Sequence, residues 1–90
     1  MAHIQHRKRK NGTIGYRVQI RRKTFPLITA TFDYESDAID WANDIERDIT
    51  KLLNSYASHD RLESAYLSIA RKYKEREADI RRNVNMKRIN

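Results

Sequence analysis

Arg17, Gln19 and Arg21 alternate with Tyr16, Val18 and Ile20. Successive strand side chains point to opposite sides, so this run predicts one apolar face and one cationic face. After a turn at residues 22–26 the alternation resumes, with Ile28, Ala30 and Phe32 on one side and Leu27, Thr29 and Thr31 on the other. Earlier in the chain Gln5, Arg7 and Arg9 share the side opposite Ile4 and His6. These side chains suit nucleic acid. Arg takes phosphates and guanine O6 and N7, Gln pairs with adenine, and Thr packs on the thymine methyl. Arg7, Arg17, Gln19, Arg21 and Thr29 are expected to reach bases. Lys8, Lys10, Arg22 and Lys23 are expected to neutralise phosphates. Gln5, Arg9 and Thr31 complete the candidate DNA-binding surface.

Other chemistry finds little footing. Of the histidines His3, His6 and His59, the first two are close, but the pattern brings no third ligand to them, so no metal site is expected. The carboxylates that follow residue 33 read mostly as the solvated face of a helix. Ser55, Ser58, Ser64 and Ser68 lack a Gly-x-Ser-x-Gly setting, and there is no Gly-rich phosphate loop. Neither enzymatic activity nor a cofactor is expected. Tyr56, Tyr66 and Tyr73 could stack on single-stranded bases, but their helical spacing favours a core or an interface.

Charge sharpens the binding reading. The net charge is +7 over 90 residues. Residues 1–32 carry +8 with no acid, residues 33–54 carry −5, and residues 55–90 carry +4. A solvated surface mixes signs, whereas an acid-free first third points to a polyanion. There is no cysteine, hence no disulfide or thiolate metal site. No apolar run approaches the ~20 residues of a membrane span, and no secretory signal is apparent. A cytoplasmic, nucleoid-associated protein of bacterial or phage origin is expected, with no membrane partner.

The elements that must position these residues follow from period. A short strand is expected over residues 2–9. Lys10-Asn11-Gly12 then signals a hairpin, loosened by Thr13 to Gly15 or bulged at Gly15. Second and third strands are expected over residues 16–22 and 27–33. Ala38, Trp41, Ala42, Ile45, Ile49 and Leu52 recur at spacings of three and four, predicting an amphipathic helix over residues 36–53, with Ser36 as N-cap and Trp41 at the centre of the core. A break at residues 54–59 precedes a second helix over residues 62–82. Asp60 and Glu63 form its capping box, and a basic tail frays after it. The fold class is α+β: a three-stranded antiparallel sheet packed against one amphipathic helix, followed by a second C-terminal helix. The expected division is a DNA-binding domain, 1–54, and a helical extension, 55–90, separable from DNA reading.

The run from Ile4 to Ile49 resembles the N-terminal arm-type DNA-binding domain of phage and integrative-element tyrosine-recombinase integrases, similar in fold to the plant AP2/ERF domain. The likeness is carried by Arg7-Lys8-Arg9, Asn11-Gly12, Tyr16 through Lys23, Phe25-Pro26, Thr31-Phe32 and Ala38 through Glu46. It covers about half the chain. It implies DNA recognition by the sheet in the major groove. The family follows this module with a core-binding domain and a catalytic domain bearing Arg, His and a Tyr nucleophile. The sequence stops at Asn90 without that catalytic domain, so the resemblance implies binding and not catalysis, and it leaves the second helix open as the start of a core-binding region, a coupling element or a feature of a small stand-alone protein.

The expected function is sequence-specific binding of double-stranded DNA by the basic sheet face, as an integrase-type arm-binding module or a small mobile-element DNA-binding protein. The alternative is a protein-interaction or dimerisation module. It would dock a partner or second copy through Leu62, Tyr66, Ile69 and Tyr73, with only non-specific affinity for DNA or RNA. RNA binding by the basic sheet is a third reading.

Overall fold

The computed structural model describes residues 2–23, 25–55 and 59–88, the side chains of 59, 60 and 84–88 excepted. The chain forms β1 (Ala2–Lys8), β2 (Ile14–Ile20), β3 (Ile28–Phe32), α1 (Glu35–Ser55) and α2 (His59–Arg88). The strands make one antiparallel sheet in the order β1-β2-β3. This is the α+β arrangement that the sequence predicts. Tyr56 and the proposed Asp60 cap lie outside the described residues or side chains.

The period-2 alternation sorts the sheet as expected. Val18, Ile20, Ile28, Ala30 and Phe32 are buried on one face, joined at the margin by Ile4 and Tyr16. The stripe Ala38, Trp41, Ala42, Ile45, Ile49 and Leu52 of α1 is buried against them. Trp41 sits between Phe32 and Tyr73, with ring centroids 5.7 Å and 5.9 Å away.

Strand limits differ from expectation for local reasons. β2 starts at Ile14 because Lys8 and Arg7 pair regularly with Ile14 and Gly15, which leaves no bulge. The loop between is closed by the Arg9 N–H donating to the Thr13 carbonyl at 2.8 Å and the Gly12 N–H donating to the Arg9 carbonyl at 3.0 Å. Gly12 holds φ at 87°, and the Asn11 side chain accepts from both the Thr13 N–H and its hydroxyl. β2 ends at Ile20, opposite Ala2 and Ile28, so Arg21 and Arg22 lie beyond the ladder. α1 starts at Glu35, where the Tyr34 carbonyl accepts from the Ala38 N–H, so Ser36 lies within the first turn rather than capping it.

The second helix is part of the same core. Tyr66 and Tyr73 are buried with the sheet and α1, and Leu62, Ile69 and Ile80 pack against that cluster. The core therefore crosses the junction between residues 54 and 55. α2 also continues to Arg88, past the apolar spacing that predicts an end near Arg82.

Candidate nucleic-acid interface

The sheet face away from α1 presents side chains in cross-strand rows. One row is His3–Gln19–Thr29, the next Gln5–Arg17–Thr31, and the third Arg7–Gly15. Cross-strand neighbours of this kind lie about 5 Å apart, so Arg17 has Gln5 on one side and Thr31 on the other. Arg17, Gln19, Thr29, Thr31 and Gln5 are half-buried, whereas His3 and Arg7 are exposed. Arg7 donates to the Gln5 side-chain carbonyl at 3.3 Å.

Gly15 opens a concavity of about 400 Å³ in this face, lined by Arg7, Lys8, Arg9, Arg17, Thr29 and Thr31. The Arg9 guanidinium crosses it. A Cβ on Gly15 would lie 2.8 Å from Arg9 Nε, so glycine is what lets Arg9 pass. Arg9 reaches across to Asp33 and donates to its Oδ1 at 2.6 Å.

Two of the side chains expected to contact DNA are tied to carboxylates within the protein. Arg9 is held by Asp33, a carboxylate only 12% exposed. Arg22, beyond the end of β2, turns to α1 and donates to Glu46 Oε2 at 2.6 Å, with 26% of its side chain exposed. Both positive charges are matched inside the protein, which leaves little unpaired charge for a phosphate. Arg21 and Lys23 are exposed at the β2–β3 connection, and Lys8 and Lys10 are exposed at the β1–β2 end. Gln5, Arg7, Arg17, Gln19, Thr29 and Thr31 thus stand on the face, Lys8, Lys10, Arg21 and Lys23 at its two ends, and Arg9 and Arg22 beside it with their carboxylate partners.

The β3 edge of this face is covered. The Thr31 N–H donates to Glu77 Oε2 at 2.7 Å, and Lys74 Nζ donates to the Thr29 carbonyl at 2.6 Å and to Glu77 Oε1 at 3.1 Å. Helix side chains here satisfy the outward backbone groups of an edge strand, which would otherwise recruit another strand. Lys74 and Glu77 were not legible as interface neighbours, because they lie 45 and 46 residues from their strand partners. On the opposite flank, His6 stands edge-on to Tyr16 at 5.0 Å and lies 3.3 Å from a Glu35 oxygen.

The acids of α1 hold elements together rather than only facing solvent. Asp44 accepts from Arg76 at 2.5 Å and also pairs with Arg47. The Arg76 hydrogen bond holds the Asp44 carboxyl below its ordinary value, against the opposing effect of burial. Asp48 accepts from the Tyr73 hydroxyl at 2.6 Å. Burial, reinforced by that bond, pushes the Tyr73 phenol up to about 12. Phe25 stacks on Tyr66 at 4.6 Å, and burial raises the Tyr66 phenol as well. The Arg22–Glu46 pair and the Phe25–Tyr66 stack together fix the β2–β3 connection that carries Lys23.

Among the described residues no group of three His, Cys, Asp or Glu could hold a metal ion. Nor is any described helix long and apolar enough to cross a membrane. The chain matches no protein-family profile, no curated protein and no solved structure.

Proposed function

We propose that the outer face of the sheet binds double-stranded DNA in the major groove and reads its sequence, as an integrase-type arm-binding module or a small mobile-element DNA-binding protein. The observation that carries this reading is the central row, in which Arg17 stands on the middle strand between Gln5 and Thr31. These are side chains that hydrogen-bond base edges or pack on a thymine methyl. The acids at the margins of the face, Asp33 and Glu77, are already bonded to Arg9, Lys74 and the Thr31 N–H. Neither therefore presents a bare negative charge to a phosphate. Three strands span about 10 Å, which suits a groove about 12 Å wide. The likeness of residues 4–49 to the integrase arm-binding domain points the same way.

The interaction-module reading draws less support. Of its anchors, Tyr66 and Tyr73 are buried and Leu62 and Ile69 pack on the same core, so a partner docking through them would have to open the domain. Selection of bound duplexes from a random pool tests the proposal. One enriched motif is expected, and a pool without enrichment would overturn specific readout.

A further inference from the structure

The surface of α2 divides into sectors. Arg76 and Lys72 reach Asp44 and Asp48 on α1. Tyr66 and Tyr73 enter the core. Lys74 and Glu77 sit on the β3 backbone. At 3.6 residues per turn, going round the helix from α1 through the core leads to Glu77, Arg81 and Lys74 along β3 and then to Ala78, Arg71 and Arg82. α1 covers the other face of the sheet, so this last sector borders the outer face along β3.

Two features mark that sector. Between residues 71 and 82 the arc from Arg81 to Arg71 holds no acid, since Glu77 turns in to the strand and Glu75 and Asp79 lie beyond Arg71, Asp79 pairing with Arg82 at 3.5 Å. Arg71 and Arg81 are exposed, and among the described residues neither makes an ion pair, in contrast to Arg9, Arg22 and Arg76. Lys74 meets Thr29 and Glu77 meets Thr31, so α2 and β3 run the same way. Arg71 and Arg81 therefore stand about 15 Å apart along the flank of the sheet. When strands follow the major groove, a three-stranded sheet nearly fills its width, and the two DNA backbones pass just outside β1 and β3.

We propose that Arg71 and Arg81 form a phosphate-binding rail on α2, taking one backbone of a duplex that lies on the sheet face. The inference rests on the DNA-binding reading above and adds a second wall to that site. Contacts to phosphate position a protein without reading sequence, and each one made releases counterions and so adds to the salt dependence of binding.

The test is binding of the full chain to a selected duplex and to a scrambled one, over a salt series. Wild type is compared with Arg17→Ala, the double variant Arg71→Ala/Arg81→Ala and its charge-reversed form Arg71→Glu/Arg81→Glu, with thermal midpoints confirming that each is folded. The rail predicts that Arg71→Ala/Arg81→Ala weakens both duplexes by the same factor, roughly ten-fold or more at low salt. The slope of log affinity against log salt should become shallower by about two. Charge reversal should deepen the loss. Double variants that bind both duplexes as wild type does would overturn the rail, and loss of preference in Arg17→Ala would then leave the sheet-face reading standing. If the double variants lose affinity while Arg17→Ala keeps full preference, the rail holds and readout by the sheet fails. Wild type that binds neither duplex would overturn both.

Discussion

The Trp41 indole N–H donates to the backbone carbonyl of Tyr73, 2.9 Å away and 32 residues further along the chain. The Tyr73 ring in turn stands edge-on to the indole, and its hydroxyl returns to α1 at Asp48. One residue pair thus ties the helix that covers the sheet to the helix that flanks it. Trp41 is fully buried, so its packing outweighs its hydrogen bond. Trp41→Ala should cost about 3–5 kcal/mol, much of the ~5–15 kcal/mol a small domain holds. Trp41→Phe should cost less, since the freed Tyr73 carbonyl sits within a helix that can still use it. Denaturant midpoints of the two variants check this, and equal midpoints for Trp41→Ala and wild type would contradict the core assignment.

A chain ending at Ser55 should not keep the fold. It would remove Tyr66 and Tyr73 from the core, leave the buried Trp41 N–H without its acceptor and bare the β3 edge at Thr29 and Thr31. An unpaired buried donor costs ~1–3 kcal/mol, and an exposed strand edge invites association. Circular dichroism and size-exclusion chromatography should find it unfolded or aggregated. A monomeric truncation melting like the full chain would show α2 to be dispensable.

Alkaline pH should weaken the domain through Tyr73. Its folded-state value of about 12 lies above the ordinary phenol value of 10. The stabilisation is therefore fully present below pH 10 and is lost as pH rises from 10 through about 12. Ionised Tyr73 would face the Asp48 carboxylate, and Tyr73→Phe should flatten this loss. On the acid side, Asp44 is lowered chiefly by Arg76, so its contribution is present above the ordinary value of 3.8 and fades as pH falls through the lowered one. Thermal midpoints across pH for wild type, Tyr73→Phe and Arg76→Ala check both signs.

Gly15→Ala should act through Arg9. The added Cβ meets Arg9 Nε at 2.8 Å and Nη2 at 2.9 Å, so the guanidinium must move off Asp33. The backbone at Gly15 needs no positive φ, and a side-chain tip can shift, so the cost should be about 1 kcal/mol. In an Arg9→Ala background the same substitution should cost close to nothing. A double-mutant cycle measures the coupling, and fully additive effects would contradict the steric account.

The parts of this structure that depend on local period were legible in the sequence. Val18, Ile20, Ile28, Ala30 and Phe32 on the sheet, and the stripe from Ala38 to Leu52, all face the core as their spacing predicts. What the sequence hid is long-range. Tyr66 and Tyr73 carry a sparse stripe that fits a core or a partner equally well, and only the packing against Trp41 and Phe25 decides between them. Charge counts showed an excess of bases but not their partners, so the bonds of Arg9 to Asp33 and Arg22 to Glu46, each 24 residues apart, could not be read. Gly15 signalled a bulge in its sequence context. In the structure it is a gap for a side chain.

Readout of sequence by the sheet face turns on Arg17, which stands at its middle. Wild type, Arg17→Ala and Lys23→Ala should be titrated with a selected and a scrambled duplex over a salt series. Losing one good bidentate base contact costs about 1–3 kcal/mol and relaxes preference at one base pair. Arg17→Ala should therefore weaken the selected duplex far more than the scrambled one. Lys23→Ala, exposed at the end of the sheet, should weaken both alike and make the salt slope shallower by about one. If Arg17→Ala lowers affinity for both duplexes by the same factor, the face is an electrostatic surface only, and the account of specific readout is contradicted.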